Sequence, residues 1–460
     1  MLIDILLIKI SFWGTAKYNR CSGRVGGSVA MSKDWAEIVN IQPAIWQENN
    51  RRWAAPQHYT CSYMAMFPPQ LPHYFITRFT DIGDIVLDPF SGRGTTPVQA
   101  MSQGRIGIGN DLNDLAYCLT KGKVANPDLE DVSKRLADLQ RGYRREDWMR
   151  SSGKMQPMPN KIRMIYHRET LRQLMYLRTE LDWKNNDVDS FLAMVLMGAM
   201  HGSSPGFLSV PMPNTFSMGW RYVRKYIHEN KLKAPNRNVF EVLKKRCNRA
   251  LKMGKLPVQG IAIHGDVRSL DRNEAISHGS VKMIFSSPPY LKVIKYGLYN
   301  WIRLWWLIGE HESIDKKLDD AHSLTNYKLF MKDVFEKMLP LLDPEQGIAC
   351  WVIGDVKDMN LAKTVWDDVG SKIEVNDSEG NISSYKLLGI VEDAIDENEK
   401  VTRIWNAEED KSGKATPVDR ILIMCHENAN VDSFLGNDKM HWEPILNYSF
   451  NQDNQRATAF

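Results

Sequence analysis

Seven short apolar runs recur along the chain, separated by longer segments in which apolar positions follow helical spacing. The runs lie at 85–87, 105–111, 261–264, 281–285, 347–355, 387–394 and 419–425. Continuous apolar runs of this length are typical of strands that are buried on both faces of a largely parallel sheet. The pattern therefore predicts an α/β fold built on an open sheet.

The alternation of strand and helix stops after a helix predicted over Leu112–Lys123 and resumes only at Ile261. An interval of roughly 140 residues is too long for a loop in a compact domain. Helical spacing recurs within it at 129–143, 168–181 and 191–200. The last run spans ten residues, which fits a buried helix and not a membrane segment. The sequence thus predicts a large, mainly helical insertion over 124–258.

The first strand ends in a tight turn, Asp88-Pro-Phe-Ser-Gly-Arg-Gly-Thr-Thr96, before a helix that begins near Thr95. Its glycines permit close backbone approach, and the helix N-terminus offers unpaired N–H groups to a carboxylate or phosphate. The glycine spacing excludes a P-loop and the dinucleotide fingerprint. Asp111 ends the second strand, where it is placed to accept hydrogen bonds from ribose hydroxyls.

The fourth strand ends in a rigid elbow, Ser286-Ser287-Pro288-Pro289-Tyr290. The two prolines cannot donate backbone hydrogen bonds and hold an extended conformation. The elbow therefore presents the Ser287 hydroxyl, the prolyl carbonyls and the Tyr290 ring at the carboxyl edge of the sheet, where open α/β folds bind ligands. Two acceptors beside an aromatic ring suit a planar base that carries an exocyclic amine; the alternative is a purely structural turn.

Together, the Asp88–Thr96 turn and the Ser287–Tyr290 elbow resemble the S-adenosylmethionine-dependent DNA methyltransferases of the N4-cytosine and N6-adenine family. The resemblance implies a Rossmann-like seven-stranded sheet whose final pair of strands is antiparallel. It also implies that the turn holds the methionine part of the cofactor and that the elbow holds the target base. Serine at position 287 is similar to the form usual in cytosine-N4 enzymes, whereas adenine enzymes more often carry Asp or Asn there; adenine stays open.

The resemblance also assigns roles to individual residues. Phe67 lies in a segment that would cover the methionine side of the cofactor, the alternative being a proline-rich entry to a helix. Asp266 matches the acid that binds the adenine amine of the cofactor. The expected catalytic residues are Ser287, Pro288, Pro289 and Tyr290. The expected cofactor-binding residues are Phe67, Asp88, Pro89, Phe90, Ser91, Gly92, Gly94, Thr95, Thr96, Asp111, Leu112, Asp266, Val267 and Ser286.

Positive charge is concentrated in the insertion. The segment from Arg141 to Arg172 has nine basic and three acidic residues, and the segment from Arg221 to Lys255 has twelve basic and two acidic residues. The whole chain has a net charge of only +4. This asymmetry marks where a phosphate backbone would lie, the alternative being solvated helical faces. A Gly- and Pro-rich loop over 202–220 is expected to approach the target strand or cover the site, or else to pack as a hairpin. The expected DNA-binding residues are Arg144, Arg145, Arg163, Arg221, Arg224 and Lys225.

The composition and the N-terminal sequence indicate the class of protein and its cellular compartment. The chain has 460 residues, of which 43% are hydrophobic, enough for a sizeable core. Its six cysteines show no paired or His-rich spacing, so neither zinc nor a disulfide scaffold is expected and a reducing cytoplasm is indicated. Asp4 and Lys9 interrupt the apolar start, which argues against a membrane span. Because Met31 opens an ordinary soluble start, residues 1–30 are expected to be an extension or a mis-assigned start, the alternative being an extra strand or helix.

The predicted organisation follows from these observations. We expect an N-terminal extension at 1–53, a catalytic domain in two parts at 54–123 and 259–430, the basic insertion at 124–258 between them, and a polar tail at 431–460. The expected function is methyl transfer from S-adenosyl-L-methionine to the N4 amine of a cytosine flipped out of double-stranded DNA. A cognate restriction or defence nuclease would be a partner, in a prokaryotic or phage-encoded, cytoplasmic and nucleoid-associated setting. The alternatives are adenine-N6 or RNA guanine-N2 methylation, or a catalytically silent binding module.

Overall fold

The computed structural model describes residues 54–64, 66–145, 159–203, 206–212, 219–291, 296–309, 323–356, 359–376, 380–394, 405–406, 411–412 and 418–435, with the isolated positions 41, 43, 46 and 314. Most of the predicted N-terminal extension and polar tail therefore lies outside the described residues. The same holds for the side chains of Arg144 and Arg145, for 213–218 in the predicted loop, and for most of the charged segment between the last two predicted strands.

The core of the fold is a mostly parallel sheet. Its strands are β1 Ile85–Asp88, β2 Ile106–Asp111, β3 Ile261–His264, β4 Val281–Ser286, β5 Ile348–Gly354, β6 Glu374–Asn376, β7 Ile382–Ala394 and β10 Val418–His426. Their spatial order is β3-β2-β1-β4-β5-β10-β7-β6. Two further strands, β8 Trp405–Asn406 and β9 Lys411–Ser412, form a separate antiparallel pair. The order reverses between β1 and β4, as in doubly wound folds that bind ligands at the carboxyl edge.

The sheet confirms the expected α/β class and adds one strand to the expected seven. β10 pairs antiparallel with both β5 and β7, so the last two long strands form the predicted antiparallel pair. The eighth strand, β6, has only three residues and extends the edge by pairing with β7. Two of its three residues, Glu374 and Asn376, are polar and exposed, so no apolar run marked it in the sequence.

Helices cover the sheet and build the insertion. In the described residues they are α1 Gln70–Phe79, α2 Thr95–Ser102, α3 Asp114–Val124, α4 Leu129–Arg145, α5 Asn160–Arg163, α6 Arg168–Glu180, α7 Asp187–Ala199, α8 Trp220–Glu229, α9 Val239–Ala250, α10 Tyr296–Tyr299, α11 Trp301–Ile308, α12 Leu324–Met338, α13 Leu361–Asp368 and α14 Val431–Leu435.

Polar side chains explain where several helices begin. Asn113, Asn186, Asn238, Ser323 and Asn360 each accept a hydrogen bond from a backbone N–H in the first turn of the helix that follows. Such caps satisfy donors that otherwise lack an intrahelical partner. The cap at Asn186 starts α7 four residues before the apolar run that predicted it.

The helical insertion packs directly on the sheet domain. α7 lies so close to α3 that a Cβ at Gly122 would be 2.6 Å from the carbonyl oxygen of Ser190. Buried side chains of α3, α7 and α11 share one apolar core, separate from the two cores on the faces of the sheet. The insertion therefore lies beside the edge of the sheet at which the turn and the elbow are found. Among the described residues, every helix is too short or too polar to cross a bilayer.

Candidate active site

The turn after β1 and the elbow after β4 lie side by side. β1 and β4 are neighbouring parallel strands with Leu87 opposite Ile284, so both carboxyl ends reach the same edge of the sheet. The Ser286 hydroxyl donates a hydrogen bond of 2.5 Å to Oδ1 of Asp88. Both side chains are at most 1% exposed, and the bond therefore joins the two motifs in a dry environment.

The turn depends on two glycines. Gly92 and Gly94 have φ angles of 51° and 76°, a left-handed conformation that side-chain-bearing residues rarely adopt. A Cβ at Gly94 would also be 3.2 Å from the Cα of Thr120 on α3. The Gly94 N–H donates to the Ser91 carbonyl at 2.6 Å, and Gly94 caps α2. These contacts fix the path of the backbone through the turn.

Asp111 ties the end of β2 to this turn. Its Oδ2 accepts from the Gly92 N–H at 2.9 Å, and its Oδ1 accepts from the Asn113 N–H at 2.9 Å. Burial raises the pKa of Asp111 to about 6, while the N–H groups of Asn113 and Gly92 act in the opposite direction. The carboxylate thus lies at the carboxyl edge of the sheet, beside the turn.

Several other predicted residues use their side chains to hold the turn. The Phe90 ring packs on Phe330 at 5.7 Å, and the Ser91 hydroxyl lies 3.0 Å from the Thr120 hydroxyl. The Pro89 carbonyl accepts from Asn110 Nδ2 at 3.1 Å. Thr95 and Thr96 are buried in the first turn of α2. These residues would therefore bind a ligand through the backbone groups of the turn and not through their side chains.

Residues of α3 that the sequence did not single out support the same turn. Lys123 is 1% exposed and its Nζ donates to the Arg93 carbonyl at 2.5 Å. Burial, assisted by the Arg93 guanidinium, lowers the pKa of Lys123 to about 7. The sequence shows a lysine among the apolar residues of this helix. It does not show that the lysine binds the Arg93 carbonyl, which becomes apparent only in the folded chain.

Asp266 lies one strand further along the edge. It follows β3, which pairs with β2 so that Asp111 is opposite His264. Its carboxylate accepts from the Arg268 guanidinium at 2.6 Å, which lowers the pKa of Asp266. Val267 next to it is buried in the core, and the Leu112 carbonyl lies 3.2 Å from Nε2 of His264.

Phe67 contacts the strand that leads into the elbow. Its ring packs edge-on against Phe285 of β4 with 5.6 Å between centroids. A buried tyrosine from the same segment, Tyr63, lies next to Gly92, where a Cβ would be 3.5 Å from its ring.

The elbow carries an unpaired hydroxyl and a packed ring. The Ser287 Oγ is buried and has no hydrogen bond of good geometry with a described residue, although it is near enough to the Tyr290 phenol to affect its pKa. Burial and the charge of Asp419 raise the pKa of Tyr290 well above its usual range, so the phenol stays neutral. The Tyr290 ring lies against Gly354 at the end of β5, where a Cβ would be 2.6 Å from Cε1.

The predicted basic residues form an exposed face where the structure describes them. Arg163 is exposed after a single turn of helix α5, and Arg221, Arg224 and Lys225 are exposed on α8. The Trp220 ring of α8 packs on Trp301 at 6.2 Å.

Lys161 connects the same face to the region after the elbow. Its Nζ lies 5.3 Å from the centre of the Trp301 ring, a cation–π contact. Trp301 begins α11 and follows the elbow by eleven residues. Lys161 of α5 and Trp220 of α8 therefore both contact the helix that follows the elbow. Within the described residues no cluster of three or more His, Cys, Asp or Glu side chains could hold a metal ion.

Comparison with known proteins finds a similar family over part of the chain. A family model described as DNA methylase, for N6 and N4 enzymes, matches residues 26–121, which include the Asp88–Thr96 turn. This part of the chain resembles the N4/N6 DNA methylases. Methylases of this family use S-adenosyl-L-methionine as the methyl donor.

Three curated methylases are similar over shorter segments. Type II methyltransferase M.MjaII of Methanocaldococcus jannaschii is 39% identical over 77 residues, covering 17% of this chain and 14% of its own. Type II methyltransferase M.MthZI of Methanothermobacter thermautotrophicus is 28% identical over 161 residues, covering 34% and 41%. Type II methyltransferase M.MjaI of Methanocaldococcus jannaschii is 38% identical over 60 residues, covering 13% and 20%. The chain thus spans less than half of each relative.

A solved structure of the rRNA methyltransferase aviRa from Streptomyces viridochromogenes aligns with 85% of this chain and 93% of its own. The identity is 9% and the TM-score is 0.30, a distant likeness that carries no argument about function.

The buried Asp88 predicts a specific pH dependence of stability. Burial raises its pKa to about 7, although the bonds from Ser286 and the Phe90 N–H oppose the shift. In the unfolded chain its pKa is near 3.9. The folded state therefore holds the proton more tightly, so this contribution is complete below about pH 4 and is lost as the pH rises through about 7.

Asp88→Asn removes the titration and keeps an oxygen that can accept from Ser286. Chemical denaturation of the two proteins should show wild-type stability falling relative to the variant between pH 5.5 and 8.5, by about 2 kcal/mol. Parallel stability curves across this range would contradict the assigned protonation of Asp88.

Proposed function

We propose that the chain transfers a methyl group from S-adenosyl-L-methionine to the exocyclic N4 amine of a cytosine flipped out of double-stranded DNA. The observation that carries the proposal is the hydrogen bond between Ser286 and Asp88. It places the glycine turn and the Ser-Pro-Pro-Tyr elbow at one point of the sheet edge. A donor and an acceptor bound there would lie within reach of each other, as a direct transfer requires.

The residues at this edge fit the cofactor. The left-handed turn at Gly92 and Gly94 lies beside Asp111, whose carboxylate accepts from the Gly92 N–H, and Asp111 and Asp266 lie at the ends of adjacent strands. The turn would hold the methionine part, the Asp111 carboxylate would accept from ribose hydroxyls, and Asp266 would accept from the adenine amine. When bound, the cofactor supplies an electrophilic methyl group on a sulfonium.

The elbow suits the acceptor amine. The amine of cytosine is conjugated with its ring and is a poor nucleophile, so its lone pair has to be localised. The Ser287 hydroxyl, which is buried without a well-formed hydrogen bond, and the Pro288 carbonyl would accept the two amine hydrogens. These contacts favour tetrahedral nitrogen and direct its lone pair toward the methyl group. No strong base is required, because the nitrogen-bound proton becomes acidic as the new bond forms.

Tyr290 would hold the ring of the extruded base. The ring is fixed against Gly354, and its neutral phenol favours stacking on a flat heterocycle. Extruding a base from the duplex costs a few kcal/mol. Phosphate contacts by the basic insertion would offset this cost, since they supply much of the affinity for duplex DNA.

Charge reversal tests the DNA-binding face. We expect Arg221→Glu, Arg224→Glu and Lys225→Glu together to weaken binding to a DNA duplex by at least about tenfold and to reduce the salt slope by about 2 to 3. The cause is the loss of three exposed cations on α8. Fluorescence anisotropy with a labelled duplex at several salt concentrations measures both quantities.

A matched control changes three exposed lysines at the far edge of the sheet, Lys363, Lys372 and Lys386. Lys363 forms an i,i+4 ion pair with Asp367, as Lys225 does with Glu229, so the two sets lose comparable local contacts. Equal effects of both sets would show that net charge, and not the α8 face, governs binding.

Nucleoside analysis tests the reaction itself. Purified protein is incubated with duplex DNA, or with tRNA, and with cofactor carrying a labelled methyl group, and the nucleic acid is digested. We expect labelled N4-methyldeoxycytidine from DNA and no label in tRNA. Labelled N6-methyldeoxyadenosine would move the proposal to adenine, and labelled guanosine from tRNA would overturn the DNA assignment. A cognate restriction or defence nuclease and a cytoplasmic, nucleoid-associated location would accompany the proposed activity.

A further inference from the structure

Tyr63 connects the cofactor turn to the end of β2. Its side chain is 5% exposed, and its ring lies against Gly92, where a Cβ would be 3.5 Å from Cε1. Its hydroxyl accepts a hydrogen bond of 3.0 Å from Nδ2 of Asn113, the residue that caps α3. Asn113 in turn donates its backbone N–H to Asp111. Tyr63 therefore touches both segments proposed to hold the cofactor.

Tyr296, which follows the elbow in the chain, contacts Tyr63. It begins α10, six residues after Tyr290 of the elbow, and its ring stacks on Tyr63 with 5.9 Å between centroids and 21° between planes. Asp111 lies at the same point, because its carboxylate accepts from the N–H of Gly92, which the Tyr63 ring contacts, and from the N–H of Asn113, which binds the Tyr63 hydroxyl. A stack of two rings thus spans the distance from the cofactor turn to the chain that leaves the elbow.

Arg303 fixes the backbone beneath this stack. It is 2% exposed, and its Nη1 donates to the Ser62 carbonyl at 2.9 Å, next to Tyr63. Its Nε donates to the Met197 carbonyl of α7 at 3.1 Å. Gly198 on α7 also allows a close approach, since a Cβ there would be 1.9 Å from the Thr60 carbonyl oxygen. The position of Tyr63 is therefore set by the insertion as well as by the sheet domain.

We infer that Tyr63 and Tyr296 are a pair of positioning residues through which the acceptor segment sets the affinity of the donor pocket. The inference rests on the proposed function, because it assumes that the turn at Gly92 and the carboxylate of Asp111 hold the cofactor. Its specific content is that Tyr296, which follows the elbow, controls cofactor binding even when DNA is absent. A residue that served only the acceptor site would lack this effect.

The test measures the Kd of S-adenosylhomocysteine by calorimetry without DNA. We expect Tyr63→Leu and Tyr296→Leu each to raise the Kd by about tenfold, and the double variant to be no weaker than the weaker single variant, because the rings act as a unit. Tyr296→Phe keeps the ring and should restore wild-type affinity. Tyr63→Phe loses the bond from Asn113 and should raise the Kd by about threefold.

Tyr143→Leu is the matched control. Tyr143 is a half-buried tyrosine packed on Tyr176 and Phe240 in the insertion, so it loses a comparable ring contact away from the turn. Its Kd should stay at the wild-type value. An unchanged Kd in Tyr296→Leu, or effects of the two leucine variants that multiply in the double variant, overturns the inference.

If the leucine variants fail to fold, Tyr63→Phe and Tyr296→Met take their place, since the flexible methionine fills space in a core but cannot stack as a ring. A rise in the Kd of threefold or more for each supports the pair, and a wild-type Kd for Tyr296→Met overturns it. A wild-type protein that does not bind S-adenosylhomocysteine would instead contradict the proposed function, so the two failures are distinguishable.

Discussion

Replacing Ser287 with alanine is expected to lower kcat for methyl transfer by about 10²- to 10³-fold, the range seen when one positioned hydrogen-bonding group is removed from a reacting centre. The Ser287 oxygen is buried and makes no hydrogen bond of good geometry with the described residues, so it is available for the incoming amine. Without it, only the Pro288 carbonyl would orient the amine hydrogens. The Kd for S-adenosylhomocysteine should stay within about twofold of the wild-type value, because the Ser287 hydroxyl makes no hydrogen bond of good geometry to a described residue of the turn.

Single-turnover transfer to a DNA duplex measures this loss, and calorimetry measures cofactor affinity. Ser102→Ala serves as the control, since Ser102 ends α2 and its hydroxyl donates, among the described residues, to the Gln99 carbonyl one turn earlier. Unchanged turnover in Ser287→Ala would show that the elbow has a structural role alone.

Adding one methyl group at Gly354 is expected to lower kcat by about tenfold or more, although Gly354 itself carries no functional side chain. The new Cβ would be 2.6 Å from Cε1 of Tyr290 and 2.9 Å from Oδ1 of Asp419. Because Gly354 lies in β5, the backbone cannot shift far, and the Tyr290 ring has to move away from the position in which it would stack on the base. Cofactor affinity should be unaffected.

The same two assays measure the effect of Gly354→Ala. Gly380→Ala separates lost activity from lost stability, since a Cβ at Gly380 meets nothing within 4 Å but its φ of 86° makes the substitution strained. We expect Gly380→Ala to be destabilised by about 1 kcal/mol and to retain full activity. Equal kcat values for Gly354→Ala and wild type would contradict the placement of Tyr290 in the acceptor site.

The strands that carry the site could be predicted from the sequence because they are buried on both faces. Val281–Phe285 was expected as a strand and β4 spans Val281–Ser286; the other parallel strands agree to within one or two residues. The short edge strand β6 was missed because it has no apolar run.

The candidate site could be predicted only in part. The turn and the elbow are continuous in sequence, and their residue types restrict the backbone directly, so both were visible before the fold was known. Tyr63, Asn113 and Gly354 were not, because each contributes through a partner distant in sequence. Tyr63 binds Asn113, which is 50 residues away in the sequence. Gly354 is required because the Tyr290 ring packs against it, and this contact cannot be read from the sequence. In the segment before β1 the sequence singled out Phe67, whereas the contact of Tyr63 with Gly92 appears only in the folded chain.

Sequencing that detects methylated bases in DNA from cells expressing this chain tests the central claim most directly. We expect N4-methylcytosine at one position of one short recurring sequence, and its absence from cells expressing Ser287→Ala at an equal protein level. Methylated adenine in place of cytosine would contradict the assigned base. DNA from cells expressing the wild-type chain that is indistinguishable from DNA of cells without it would contradict the proposed activity.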